Sequence, residues 1–250
     1  MPKFPLAILA AAGLAALFQA APARAAAIVG GSALLDAAGA NQLEAWLGQG
    51  PITLTNIFTK TPNATSFDFH AAADNRGATF AVMRATQNNV TAVIGGYNPQ
   101  SWSTRYDYNI TSIASQQTAF IFNLSTGVLR NQTGAAYSGA AIFQTFNFNN
   151  YGPTFGGGHD LFVDYYLSQG YSYGWSYGTA SDYEKSILTG QNHCSYGCTY
   201  FSIAELEIFT ISAGSAAPAA PTAEVPEPLA LSLFGLGLAG LGLAQRRRRA

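Results

Sequence analysis

Apolar residues at Leu34, Leu35, Ala38, Leu43, Trp46 and Leu47 recur mostly three or four positions apart. They predict a helix beginning near Ser32 and closed by Gly48 and Gly50-Pro51. This helix is expected to be the first element of the folded domain. Ile52 to Phe58 reads as a strand. Thr65 to Ala73, carrying Phe67, Phe69 and His70, reads as a short helix capped by Asn63 or Thr65. Asp74-Asn75-Arg76-Gly77 is a turn, after which Ala78 to Arg84 alternates with Phe80 and Val82 on one face. Asn88-Asn89 turns the chain back into Val90 to Ile94, which predicts a hairpin. Further strands are expected at Thr118 to Leu124, Ala141 to Phe146, Asp160 to Val163 and Phe201 to Ile211. Ser168 to Tyr177, rich in Tyr, Gly and Ser, is expected to be an exposed loop with aromatic contact residues. The pattern over residues 32–211 predicts an α+β domain, an antiparallel two-sheet β-sandwich flanked by helices.

Both ends carry a different pattern. Lys3, the uncharged apolar run from Phe4 to Phe18 and Ala23-Arg24-Ala25 compose a signal peptide over residues 1–25, with cleavage after Ala25 or, nearly as well, Ala27. Residues 212–224 are Ala- and Pro-rich and read as a linker. Val225, Pro226, Glu227 and Pro228 then precede a charge-free apolar stretch, 229–244, and the block Arg246, Arg247, Arg248 and Arg249. Arginines resist transfer through hydrocarbon, so the block is expected on the cytoplasmic side and everything before it outside. The stretch is shorter than the roughly 20 residues of a stable span, which suits a single, temporary anchor helix. This order over residues 225–250 resembles the PEP-CTERM sorting signal of bacterial exported proteins. The resemblance implies an exosortase as processing partner, removal near Pro226 to Pro228, and a transient membrane anchor followed by a cell-surface or extracellular location. An ordinary anchor that is never cut is the other reading.

Charge changes once these ends are set aside. The whole chain has a formal net charge of −1, but six of its twelve basic residues lie in the terminal signals. Six basic residues against twelve acidic ones leave the remainder near minus six. No basic stripe survives, which argues against nucleic acid as a partner. The abundance of Asn, Gln, Ser, Thr, Gly and Tyr describes a neutral, hydrogen-bonding surface suited to a sugar-rich surrounding.

Several stretches, in order, resemble the TLDc domain of eukaryotic oxidation-resistance proteins and of bacterial and protist chains. They are Phe69-His70-Ala71-Ala72-Ala73-Asp74 with Gly77-Ala78-Thr79-Phe80; Ile94-Gly95-Gly96-Tyr97 with Trp102; Thr118 to Leu124; Gly152 to Leu161; and the closing Phe201 to Ile211. The resemblance covers roughly Leu34 to Ile211 and implies a β-sandwich flanked by helices. It also implies a link to oxidation resistance and, in eukaryotes, to the cytosolic side of the vacuolar proton pump, a surface closed to an exported protein. The family often has cysteine where this chain has Ala73, so thiol chemistry at that position cannot operate here. The family brings no established catalytic apparatus, and no cofactor or metal is expected.

Candidate chemistry centres on Gly156, Gly157, Gly158, His159 and Asp160. The glycines could form a nest presenting amides to an anionic or carbonyl ligand beside His159 and Asp160. They could instead allow a bulge and tight approach, with Asp160 capping the turn. His70 and Asp74, at i and i+4, could join His159, Asp160 or Asp164 in a metal site or an acid-base pair, or simply satisfy one another. Glu205 and Glu207 share a strand face by the two-residue period, as a carboxylate pair or as loop anchors. Cys194 and Cys198 are expected to form a small-loop disulfide, with a metal half-site including His193 or a redox pair as alternatives. Two functions follow. One is a non-catalytic surface or matrix component binding polysaccharide or a surface protein through Tyr-rich loops. The other is an exported hydrolase or oxidative-stress protection protein using His70, Asp74, His159 and Asp160, which requires those four side chains to meet.

Overall fold

A computed structural model describes residues 26–134, 139–192 and 200–214. The signal peptide, the linker beyond Gly214, the sorting motif, the anchor and both cysteines lie outside the described residues. Among the described residues, no helix is long and apolar enough to cross a membrane.

The described residues are mostly β with two α-helices. The first element is a strand, not the predicted helix: β1 (Ala27–Val29) pairs in parallel with β2 (Ile52–Thr59) along one sheet edge. The first helix, α1 (Ala37–Leu47), starts after Ser32 and Leu34 because Asp36 caps it, accepting from the Gly39 amide at 2.8 Å. It ends at Gly48, whose φ of 67° lets its amide reach Glu44 O at 3.0 Å. Thr65 and Asp68 form a capping box at the start of α2 (Ser66–Ala73).

A large mixed sheet follows the order β1, β2, β11 (Phe201–Ala213), β3 (Thr79–Gln87), β4 (Val90–Asn98), β6 (Phe120–Asn123), β7 (Val128–Asn131). All its pairings except β1 with β2 are antiparallel. Asn88 and Asn89, both at positive φ, make the tight turn between β3 and β4. Side-chain alternation buries both faces. Phe80, Val82, Phe120, Phe122 and Phe209 pack with Leu43 of α1 on one side. Ala81, Met83, Ile94, Ile121 and Ile208 pack with Phe69 of α2 on the other.

A second layer lies on the α2 side. It holds a small antiparallel sheet, β5 (Asp107–Ile110) with β8 (Phe143–Asn147). Single-residue bridges from Thr145 to Phe155 and from Phe155 to Leu161 carry it toward β9 (Leu161–Val163). The strand β10 (Gln169–Ser172) pairs with β9 and, through Gly170 and Gln169, joins the start of β11. This layered arrangement fits a β-sandwich, although its second sheet is small and one strand pair is parallel. The segment Ser168 to Tyr177 is therefore not the exposed loop predicted. Gly170, Ser172, Gly174, Ser176 and Tyr177 are buried, Gln169 is exposed, and the alternate aromatics Tyr171, Tyr173 and Trp175 are half-buried.

The motif residues of the sequence meet in the core between the layers. Trp102 packs edge-on against Phe69 and Phe155, with ring centroids 5.4 Å away in each case. Gly96 is small because a Cβ there would stand 2.6 Å from the Phe155 ring.

Candidate functional site

Asp160 turns inward and is fully buried. Its Oδ2 accepts from the amides of Trp175, Ser176 and Tyr177 at 2.6, 2.8 and 3.0 Å, tying the turn before β9 to the chain after β10. Oδ1 is buried without a partner and occupies the space a Cβ on Gly156 would need, 1.9 Å away. With φ at +84°, Gly156 is a position for glycine on both counts. Loss of water outweighs the three amides and pushes the Asp160 carboxyl up to about 7. The amides of Gly156 and Gly157 are used internally, donating to Gln144 O at 2.9 Å and Ser176 Oγ at 2.8 Å. A Cβ on Gly157 would meet Phe143, and one on Gly158 the Tyr173 hydroxyl.

His159 adopts φ of 60° and points the other way. Its ring stacks on Phe162 at 5.8 Å and 13°, touches Phe146 at 5.1 Å and Tyr151 at 5.6 Å, and lies 3.3 Å from the Tyr171 hydroxyl through Nδ1. Burial among these rings lowers its pKa to about 4. His159 thus sits in the middle of an aromatic band covering the outward face of the second layer. On one flank Tyr108 packs at a tilt 4.6 Å from Phe146, and Tyr106 edge-on 4.7 Å from Phe148. On the other, Phe162 leads to Tyr171 at 4.9 Å, Tyr171 to Tyr173 at 6.2 Å, and Tyr173 to Trp175 at 6.3 Å. Tyr200 and Tyr183 extend the band beside Tyr171 and Trp175. Tyr106 is 74% exposed and Tyr200 51%, while most of the remaining rings are half-buried, so the face is anchored and still open to solvent. Burial raises the Tyr173 phenol to about 12, and the Tyr171 phenol also rises, so both remain neutral hydrogen-bonding groups at ordinary pH.

The other sequence candidates hold structure. His70 is nearly buried, with Nδ1 2.7 Å from Asp74 Oδ1 and Nε2 3.0 Å from Phe148 O, so both ring nitrogens are occupied. The His70–Asp74 pair and the Asp160 carboxylate have no hydrogen-bond partner in common. Among the described residues, no group of three or more His, Cys, Asp or Glu side chains could hold a metal ion. Asp164 accepts from the amides of Ser168 and Gln169 in its own turn. Glu207 is buried and clamps the segment before α1, accepting from Ser32 Oγ at 2.5 Å and the Ala33 amide at 2.8 Å. Glu205 pairs with Arg84 Nε at 3.0 Å. Cys194 and Cys198, with His193, lie outside the described residues.

Sequence reasoning named the aromatic stretch after Ser168 but missed the flank at Tyr106, Tyr108, Phe146 and Phe148. The available signal was aromatic residues two apart, which in strands share a face. No curated protein matches the chain. The TLDc domain family matches residues 29–212, from the edge strand β1 to the end of β11, and the chain belongs to that family.

Proposed function

We propose that this protein is an exported, exosortase-sorted component of the cell surface or extracellular matrix, and that its TLDc domain is a non-catalytic module binding polysaccharide. The observation that carries the binding reading is the aromatic band in which Tyr106, Tyr108, Phe148, Tyr151, His159, Tyr171, Tyr173 and Trp175 reach the surface over the buried rings of Phe146 and Phe162. Flat rings offer large apolar area with little conformational freedom to lose, and their faces suit the C–H surface of a pyranose. Neutral phenols at the rim supply hydrogen bonds without a charge requirement. Affinity electrophoresis in gels containing polysaccharide from the producing cells tests this. The unmodified domain is expected to be retarded and Tyr173→Ala released; equal mobility in the presence and absence of polysaccharide would defeat the binding role.

Export and sorting rest on the terminal residues alone. The charged start and apolar run before Ala25 support a signal peptide, and Val225 to Pro228, the apolar stretch and Arg246 to Arg249 support sorting and removal of the tail. Mass spectrometry of the exported protein is expected to show a chain ending near Pro226. Recovery with Arg246 to Arg249 attached would contradict it.

A further inference from the structure

The charges around the aromatic band leave no cation free to receive an anion. Outside the terminal signals the chain has six Lys and Arg residues against twelve acids. Three of the six adjoin the band, and each stands beside an acid. The Arg130 side chain is 5% exposed, with Nε 3.2 Å from Asp182 Oδ1 and further bonds to the carbonyls of Lys185 and Ser186. Lys185 is within electrostatic reach of the same Asp182. Arg105, next to Tyr106, has Nε 3.6 Å from Asp107 Oδ2. The other three are engaged elsewhere: Lys60 Nζ donates to Ile203 O at 2.8 Å, Arg84 pairs with Glu205, and Arg76 donates to Ala72 O at the end of α2. His159, in the middle of the rings, is kept neutral by burial down to about pH 4.

Carboxyl groups, by contrast, act on the band directly. Burial is the main cause that pushes the Tyr108 and Tyr173 phenols up, and the side chains that add to it are acids and other phenols: Asp160 at both, and Glu184 at Tyr173. Ring faces are themselves the negative side of the aromatic quadrupole. An anionic chain laid on these rings would give up hydration with no free counter-charge to replace it, next to groups of its own sign. A neutral chain meets neither penalty. Its C–H surface lies on the ring faces, and its hydroxyls stay in water or meet the exposed phenol of Tyr106. We infer that the band takes uncharged polysaccharide, built of neutral hexose or N-acetylhexosamine units, and turns away chains that carry uronate or sulfate groups. This rests on the polysaccharide-binding reading and adds to it the chemical class of the chain.

Polysaccharide from the producing cells, separated by anion exchange into a neutral and an acidic fraction, supplies the probes for affinity electrophoresis of the exported protein. The neutral fraction is expected to retard it equally at about 0.01 M and about 0.15 M salt, although the screening length falls from about 30 to about 8 Å. The acidic fraction is expected to leave its mobility unchanged at both. Glu184→Lys, which reverses the charge beside Tyr173, is expected to keep the first response and to gain retardation in the acidic fraction at low salt, by about threefold or more. Retardation of the unmodified protein by the acidic fraction alone, or by both fractions alike, would overturn the charge selection while leaving the band a polysaccharide-binding surface. So would a neutral-fraction response that fades as salt rises, or a Glu184→Lys protein that the acidic fraction still does not retard. Retardation by neither fraction sinks the polysaccharide-binding reading itself.

Discussion

His159 and Asp160 are adjacent in sequence and face opposite sides of the second layer. His159 enters the aromatic band, and Asp160 is held by three amides beneath it. Their titrations oppose one another. Asp160 titrates at about 7 in the folded chain against an ordinary 3.8, so between those values the native state keeps a proton the unfolded chain has lost, and stability falls as pH rises. His159 titrates at about 4 against an ordinary 6.5, so in that interval the unfolded chain holds the extra proton, and stability rises with pH. Each contribution is about 3 to 4 kcal/mol, and in the shared window they largely cancel. Asp68 and Asp182 are held below the usual carboxylate range, so their losses fall at lower pH. Asp160→Asn should therefore gain stability from pH 4 to 6.5, and His159→Phe should lose it from pH 4 to 7. Urea midpoints across that range check both signs; parallel profiles for the two variants would show that burial is not what sets these groups.

At the scale of elements, the longer periodic segments were legible in the sequence. The amphipathic run ending at Gly48, the capped helix before Asp74, the Asn88-Asn89 hairpin and the closing strand at Phe201 each carry a local signal that the tertiary structure keeps. The elements missed are short and polar. β5 and β7 are four residues each, and β10 reads Gln-Gly-Tyr-Ser, with turn-forming composition. β5 takes its strand geometry from a distant partner, Asp107 pairing with Asn147, whereas β7 and β10 are the return arms of short hairpins with β6 and β9. β1 was missed because it is an edge strand of three residues whose partner lies beyond α1. For the site, Gly156 to Asp160 stood out as unusual, but sequence could not say that Asp160 turns inward while His159 turns out. The non-local pairing of β5 with β8 assembles the Tyr106 flank, and no single segment announces it.

Across the whole molecule, the large sheet and the small sheet divide the work. The large sheet buries both faces, and the recurring motif residues Phe69, Gly96, Trp102 and Phe155 are spent on joining the layers. Resemblance to the family is therefore carried chiefly by packing. The outer face of the second layer is free of that duty and carries the aromatic rings. Trp175 sits in this band, whereas Trp102 is fully buried in the core and Trp46 packs beside Phe122 on the opposite face of the large sheet. Tryptophan emission can thus report on the band selectively. The most direct measurement is a fluorescence titration of the exported protein with soluble polysaccharide from its own cells. A saturable change in emission that disappears in Trp175→Phe is the predicted result. No change, or the same change in Trp175→Phe and in Tyr173→Ala, would contradict the assignment of this face as the binding surface.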